Sequence, residues 1–173
     1  MNKQRSGFTL VELLIVIVVI AILASISIVA YQGIQSRARD TQRLQDVKTI
    51  AKAMEMYYAD KGVYPPTNGS TKINTGWVTT ADASWANLEA ALVPAYISSM
   101  PKDPQASQTT NPGIWGGYNY DMFRLTFHCD GQTMQKYMLT YRLESQPQKR
   151  DILGTCTTNP ITDYSGSEYI VVK

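Results

Sequence analysis

The sequence predicts an α+β protein in which one long N-terminal helix precedes a small antiparallel sheet. Three observations predict it. From Leu13 to Ser36 no side chain carries a charge, and Leu13 to Ala24 is an unbroken apolar block. At about 1.5 Å per residue such a segment is long enough to cross a hydrocarbon core. From Ile34 to Tyr58 apolar residues recur at three- and four-residue intervals, the period of an amphipathic helix. From Tyr118 onward apolar and polar positions alternate, the period of strands with one buried face.

The helix begins beside a residue that sits badly there. A short basic leader holding Lys3 and Arg5 runs into Ser6-Gly7-Phe8-Thr9-Leu10-Val11-Glu12, directly before the apolar block. A carboxylate so close to a bilayer interior is costly and needs a partner. With apolar neighbours, Glu12 is expected to add nothing to the helix itself. Beyond the apolar half, Ile34, Ala38, Leu44, Val47, Ile50, Ala51, Met54, Tyr57 and Tyr58 form one stripe. Arg37, Arg39, Asp40, Arg43, Asp46, Lys48, Lys52 and Glu55 lie between them and read as a solvated or intersubunit face. Lys61-Gly62 supplies a last-turn cation and a closing glycine. One helix from Phe8 to Asp60 would be roughly 80 Å long. Its second half can pack on a domain of its own chain, whereas its first half must find lipid or other copies.

Val63 to Asn74 reads as loop, with Tyr64-Pro65-Pro66 extended and Asn68-Gly69-Ser70 a turn. The latter also fits a glycosylation sequon, but Asn-Gly is common in turns. A short helix follows, capped by Asp82 or Ser84, with Trp85, Leu88 and Leu92 on one face and Pro94 ending it. Tyr118, Tyr120 and Met122 share one face of a first strand. Tyr137, Leu139, Tyr141 and Leu143 do so in a second, with Lys136, Thr140, Arg142 and Glu144 opposite. Arg124 to Cys129 continues the first strand or forms another, and Tyr169-Ile170-Val171-Val172 is the last. Gln146 to Gly166 reads as surface loop.

Gly7-Phe8-Thr9-Leu10-Val11-Glu12, then Leu13-Leu14-Ile15-Val16-Ile17 and Ala30-Tyr31-Gln32, resembles the N-terminus of type IV pilins and pseudopilins. More loosely, Tyr58-x-x-x-x-Gly62-x-Tyr64-Pro65, Leu92, Tyr96-Ile97 and Met100-Pro101-x-Asp103-Pro104 look like major pseudopilins of type II secretion and many Gram-positive pilins. The resemblance implies the pilin fold and a membrane-inserted precursor cut between Gly7 and Phe8 by a prepilin peptidase, with Phe8 then N-methylated. It implies that Glu12 serves assembly by pairing with the Phe8 amine of a neighbouring copy. Elementary electrostatics favours the same pair, because opposite charges about 4 Å apart attract far more strongly out of water than in it. The expected divisions are 1–7 leader, 8–31 membrane and filament-core helix, 32–61 amphipathic continuation and 62–173 globular domain. Where many relatives carry glycine and proline in the apolar half, this chain has Ala21 and Val29, so local unwinding around Ile22 to Ala30 is less favoured. The acidic calcium loop of major pseudopilins has no counterpart in Asp103, Asp121 and Asp130, which are scattered.

Composition narrows the function. Without Lys3 and Arg5 the 16 basic side chains fall to 14, equal to the 14 acidic ones, so no basic signature supports nucleic acid as a partner. Eleven tyrosines against three phenylalanines suit a wet, shared surface. Cys129 and Cys156 are the two cysteines. Outside the cytoplasm they read as a disulfide closing a loop of about 28 residues, worth on the order of 3 kcal/mol; the alternative is two unrelated buried thiols. His128 adjoins Cys129, but neighbours on a strand point to opposite faces. No ligand spacing suits zinc, no glycine loop cradles phosphate, and no cofactor or catalytic residue is expected. Arg37, Arg39 and Arg43 beyond the span run against a strict count of nearby basic residues, and serve lipid headgroups or neighbouring subunits.

The expected protein is a single-pass cytoplasmic-membrane precursor that becomes an extracellular pilus subunit. Its partners are copies of itself, the prepilin peptidase, membrane lipid before assembly, and an assembly platform whose ATPase hydrolyses the nucleotide. Alternatives are a pseudopilin of a secretion apparatus and a monomeric anchored domain that binds a ligand such as DNA. Two plainer readings of the N-terminus remain: a secretory signal removed near Ser25-Ile26-Ser27, and an anchor in which Glu12 has no partner.

Overall fold

In a computed structural model the described residues are 9–71, 73, 75–106, 118–124, 135–145 and 169–172, the last four and positions 29 and 30 by backbone only. The elements are α1 (Leu10–Lys61), β1 (Trp77–Thr79), α2 (Trp85–Leu92), β2 (Asp121–Arg124), β3 (Tyr137–Tyr141) and β4 (Tyr169–Val172). The chain forms two compact units, residues 1–38 and 39–173.

The first unit is the apolar part of α1. Its described large apolar side chains from Leu10 to Ile34 are exposed, the least exposed of them still at 47%. Among the described residues nothing covers this surface, and by length and composition it can cross a membrane. The helix runs unbroken through Ile22 to Ala30. Ser25 and Ser27 turn their hydroxyls onto the carbonyls of Ile22 and Leu23, at 2.7 and 2.8 Å, so neither needs water or a polar neighbour.

In the second unit Val47, Ile50, Ala53 and Met54 of α1 are buried, spaced to form one inward stripe. The stripe starts at Asp40, later than expected: Ile34 and Ala38 are exposed. The helix ends as its residues predict, with Gly62 at φ 71° donating its N–H to the Tyr58 carbonyl at 2.8 Å.

The sheet is antiparallel throughout, in the order β1-β2-β3-β4. Val78, Met122 and Leu139 line up across the first three strands. They join the core with Tyr120, Tyr137, Tyr141, the α1 stripe, and Trp85, Leu88 and Leu92 of α2. β1 was not expected, and it is only three residues long. The other face of the sheet also differs from expectation. Trp77, Thr79, Asp121, Met138 and Thr140 are buried there, so the alternation marks an apolar face and a mixed face, not a dry face and a wet one. Of the two residues expected to cap α2, Asp82 does so. Ser84 holds the N-cap position in helical backbone without a side-chain cap, its hydroxyl accepting the Thr79 N–H at 2.9 Å. Asp82 accepts the Ser84 N–H at 2.8 Å in its place.

Tyrosines fasten α1 to the loop that follows it. Tyr58 stacks on Tyr64, and Tyr64 meets Tyr137 edge-on, with ring centroids 4.7 and 4.8 Å apart. The Tyr64 hydroxyl donates to Glu55 at 3.0 Å, and Trp85 donates its indole N–H to the Pro101 carbonyl at 3.1 Å.

Candidate functional site

The N-terminus of α1 is organised by two residues. The Thr9 N–H donates to Glu12 Oε2 at 2.8 Å, and the Thr9 hydroxyl donates to the same oxygen at 2.7 Å. The Glu12 N–H returns a bond to Thr9 Oγ1 at 3.2 Å. The Thr9 carbonyl accepts the N–H of Leu13 at 3.3 Å. This is a reciprocal capping box, which satisfies backbone donors that a helix start leaves open. It corrects the expectation that Glu12 adds nothing to the helix. The signal was legible, since Thr-x-x-Glu before an apolar run is the sequence form of that box. Gly7, Phe8, Cys129, Cys156 and His128 lie outside the described residues.

A second polar centre lies within the globular unit, where α1 was expected to show a solvated face. Arg43 is completely buried. Its Nε and one Nη2 hydrogen grip Asp103 at 2.7 and 3.2 Å. Its remaining donors reach Gln105 at 2.9 Å, Asp40 at 3.0 Å and Glu144 at 2.6 Å. All five guanidinium N–H groups are therefore used. The Tyr118 ring lies 4.4 Å from the guanidinium carbon, a cation–π distance. Asp40 in turn accepts the N–H groups of Glu144 and Ser145, both at 2.8 Å, and the Ser145 hydroxyl at 2.6 Å. Arg39 adds a two-pronged bond to Glu144, at 2.7 and 2.5 Å.

The charges hold one another in place. Burial works against the charge on Arg43, but Asp103 and Glu144 hold it more strongly and its pKa is raised. Burial likewise opposes ionised Asp40, yet the Ser145 hydroxyl, the two backbone N–H groups and Arg43 keep its carboxyl below the usual range. Glu144 is lowered chiefly by Arg39. Asp46 is different: burial raises it, against the bond it accepts from the Tyr120 hydroxyl at 2.8 Å. Arg39, Asp40 and Arg43 thus bind the segments at 103–105, 118 and 144–145 to the helix. They serve this chain's own domain. The only hint in the sequence was Asp40-x-x-Arg43 at helical spacing. Among the described residues, no group of three or more His, Cys, Asp or Glu is placed to hold a metal.

Residues 2–28 match the prokaryotic N-terminal methylation motif. The chain is 33% identical over 121 residues to the type II secretion system core protein G of Escherichia coli (strain K12), covering 68% of this chain and 79% of that protein. The core protein G of Vibrio cholerae is 30% identical over 132 residues, 75% of this chain and 84% of its own length. The type IV major pilin protein PilE of Neisseria gonorrhoeae is 36% identical over 73 residues, 42% of this chain and 44% of PilE. No solved structure matches.

Proposed function

The chain belongs to the type IV pilin and pseudopilin family, and from that premise we propose that it is a pilus subunit, processed from a membrane-inserted precursor and polymerised through its apolar helix. The observation that carries this reading is the exposed surface from Leu10 to Ile34, which the described chain leaves uncovered. In lipid that surface is at rest. Out of lipid it must meet copies of itself, which makes a helical homopolymer with apolar helices inside and globular units outside.

Cleavage between Gly7 and Phe8 by a prepilin peptidase creates an amine at the top of the helix, which is then methylated. Glu12 of an adjacent copy supplies its anion. The capping box adds a condition, because Glu12 Oε2 is already held by Thr9. A neighbour's amine must share that carboxylate or displace Thr9 from it. ATP hydrolysis belongs to the assembly machinery, and the subunit is structural, not enzymatic. Cys129 and Cys156 are joined, closing the terminal loop of an extracellular domain. Quantitative thiol labelling of both in the absence of reductant would disprove the pairing.

The test compares sheared filament with membrane-pool subunit for wild type, Glu12→Gln, Glu12→Leu and Thr9→Ala. Losing one partner of a buried pair costs about 3–5 kcal/mol, whereas losing a cap costs about 0.5–2 kcal/mol. Filament yield is therefore expected to fall in the order wild type, Glu12→Gln, Glu12→Leu, with Thr9→Ala well above Glu12→Leu. Normal assembly of Glu12→Leu would refute the pairing, and equal loss in Thr9→Ala would assign Glu12 to capping alone.

A second reading, a pseudopilin of a type II secretion-like apparatus, is favoured by the extent of similarity. The match to core protein G covers 68% of the chain, against 42% for PilE. Abundance separates the two, since a major pilin dominates sheared surface material.

A further inference from the structure

The face of the sheet opposite the α1 side carries a group that assembly leaves unused. Asp121 of β2 stands between Thr79 of β1 and Thr140 of β3 and is 1% exposed. Among the described residues its Oδ1 has no hydrogen-bond partner. Its Oδ2 receives the Thr140 hydroxyl at 3.4 Å, with the Thr79 hydroxyl a second weak support. No described cation pairs with it. The turn after β1 presents Asp82 and the 103–105 segment presents Asp103, both carboxylates that oppose a negative charge on Asp121. Just past β3, Arg142 lies two positions beyond Thr140, with its guanidinium 5.9 Å from the Tyr118 ring centre. β4 brings the uncharged Ile170 opposite Thr140. An ionised carboxylate in this setting is penalised by burial and left half unsatisfied, whereas a carboxylic acid is neutral and carries its own donor.

We propose that Asp121 is a neutral carboxylic acid in the folded domain, and that its ionisation releases β1 together with the turn that follows it. The release is directed to β1 by the topology. β1 is a three-residue strand at the edge of the sheet, with β2 its strand neighbour, and Thr79 lies directly across from Asp121. Other backbone bonds of β1 run to Ser70 and Ser84 of the adjoining turns. Asp82 anchors the turn by accepting the Ser84 N–H at 2.8 Å and the Ser70 hydroxyl at 3.0 Å, so repulsion from Asp121 acts on that anchor. β3, by contrast, is held on both sides. Burial pushes the Asp121 carboxyl up to about 7; Thr79 and Thr140 resist, and Asp82 and Asp103 add to the rise. Because this folded value is raised, the stability of the neutral form is complete below the unfolded value of 3.8 and is lost as pH rises through about 7.

The test uses the full chain in detergent micelles, with Asp121→Asn beside wild type, at about pH 5.5 and about pH 8.5. Amide exchange at Trp77–Thr79, corrected for base catalysis, is expected to be about tenfold faster for wild type at the higher pH, with β3 unchanged. Asp121→Asn is expected to show no such excess. A carboxylic-acid carbonyl band in the infrared spectrum, bleaching near pH 7 in wild type, reads the protonation directly and does not depend on the variant folding. Absence of that band, no excess exchange in wild type, or the same excess in Asp121→Asn would overturn the proposal.

Discussion

Arg43 shows how much of the domain rests on one side chain. Its guanidinium has an acceptor for each N–H and an aromatic ring against its face. A lysine there offers a point charge in place of a planar fork. Arg43→Lys leaves Asp103 or Glu144 short of a donor inside the protein, and Arg43→Ala leaves the carboxylates buried without their counter-ion. Both variants are expected to lose stability, Arg43→Ala by about 3–5 kcal/mol, measured by urea unfolding of the full chain in micelles. Asp103→Asn placed on Arg43→Ala should cost much less than on wild type, since the lone charge is then removed. Additive losses would show that the two do not interact. The pH response has the opposite sign to that of Asp121. Asp40 and Glu144 are lowered in the fold, so their contribution is present above their unfolded values of 3.8 and 4.5. It is lost as pH falls through the still lower folded values.

At the scale of elements, the connection from α1 to β1 depends on Gly69. Its φ is 98°, and a Cβ there would lie 2.8 Å from Asn87 Nδ2. Asn87 donates that same nitrogen to the Asn68 carbonyl at 2.8 Å, so the turn is fastened to α2. Gly69→Ala is expected to destabilise the domain by about 1–3 kcal/mol, through backbone strain and the displaced amide. An unchanged thermal midpoint would show that the turn can relax. The Asn-Gly turn, the Gly62 stop and the Trp85–Leu88–Leu92 face were all legible, because each is set by neighbours within a few positions. β1 was not, since three residues are too short to show a period and its strand identity comes from pairing with Phe123, Met122 and Asp121. Arg39, Asp40 and Arg43 misled for a related reason. Helical spacing places them on the polar side of the stripe, but only the fold brings Asp103 and Glu144, more than fifty residues away, to that side. The Thr9–Glu12 box was legible, because Thr-x-x-Glu before an apolar run is set by residues within one helical turn.

For the whole molecule, the two compact units answer to different solvents. Every buried residue of the described core lies between Asp40 and Leu143, within the second unit. The first unit adds large exposed apolar surface and no core. A folded globular domain should therefore not require it, whereas partition into a membrane should require it entirely. Apolar burial contributes about 25 cal/mol per Å² removed from water, and the segment from Leu10 to Ile34 can realise that gain only in lipid or against other copies. A chain lacking residues 1–31 is expected to be soluble and monomeric, to keep the near-ultraviolet signature of its packed tyrosines and tryptophans, and to unfold in one transition. It should neither enter vesicles nor join filaments, even when mixed with intact subunits. Light scattering and thermal unfolding of the shortened chain check both halves of the expectation. A shortened chain that is unfolded in buffer would show that the domain needs the apolar helix for its own stability. A shortened chain that still polymerises would move assembly from the helix to the globular surface and undo the reading built on Leu10 to Ile34.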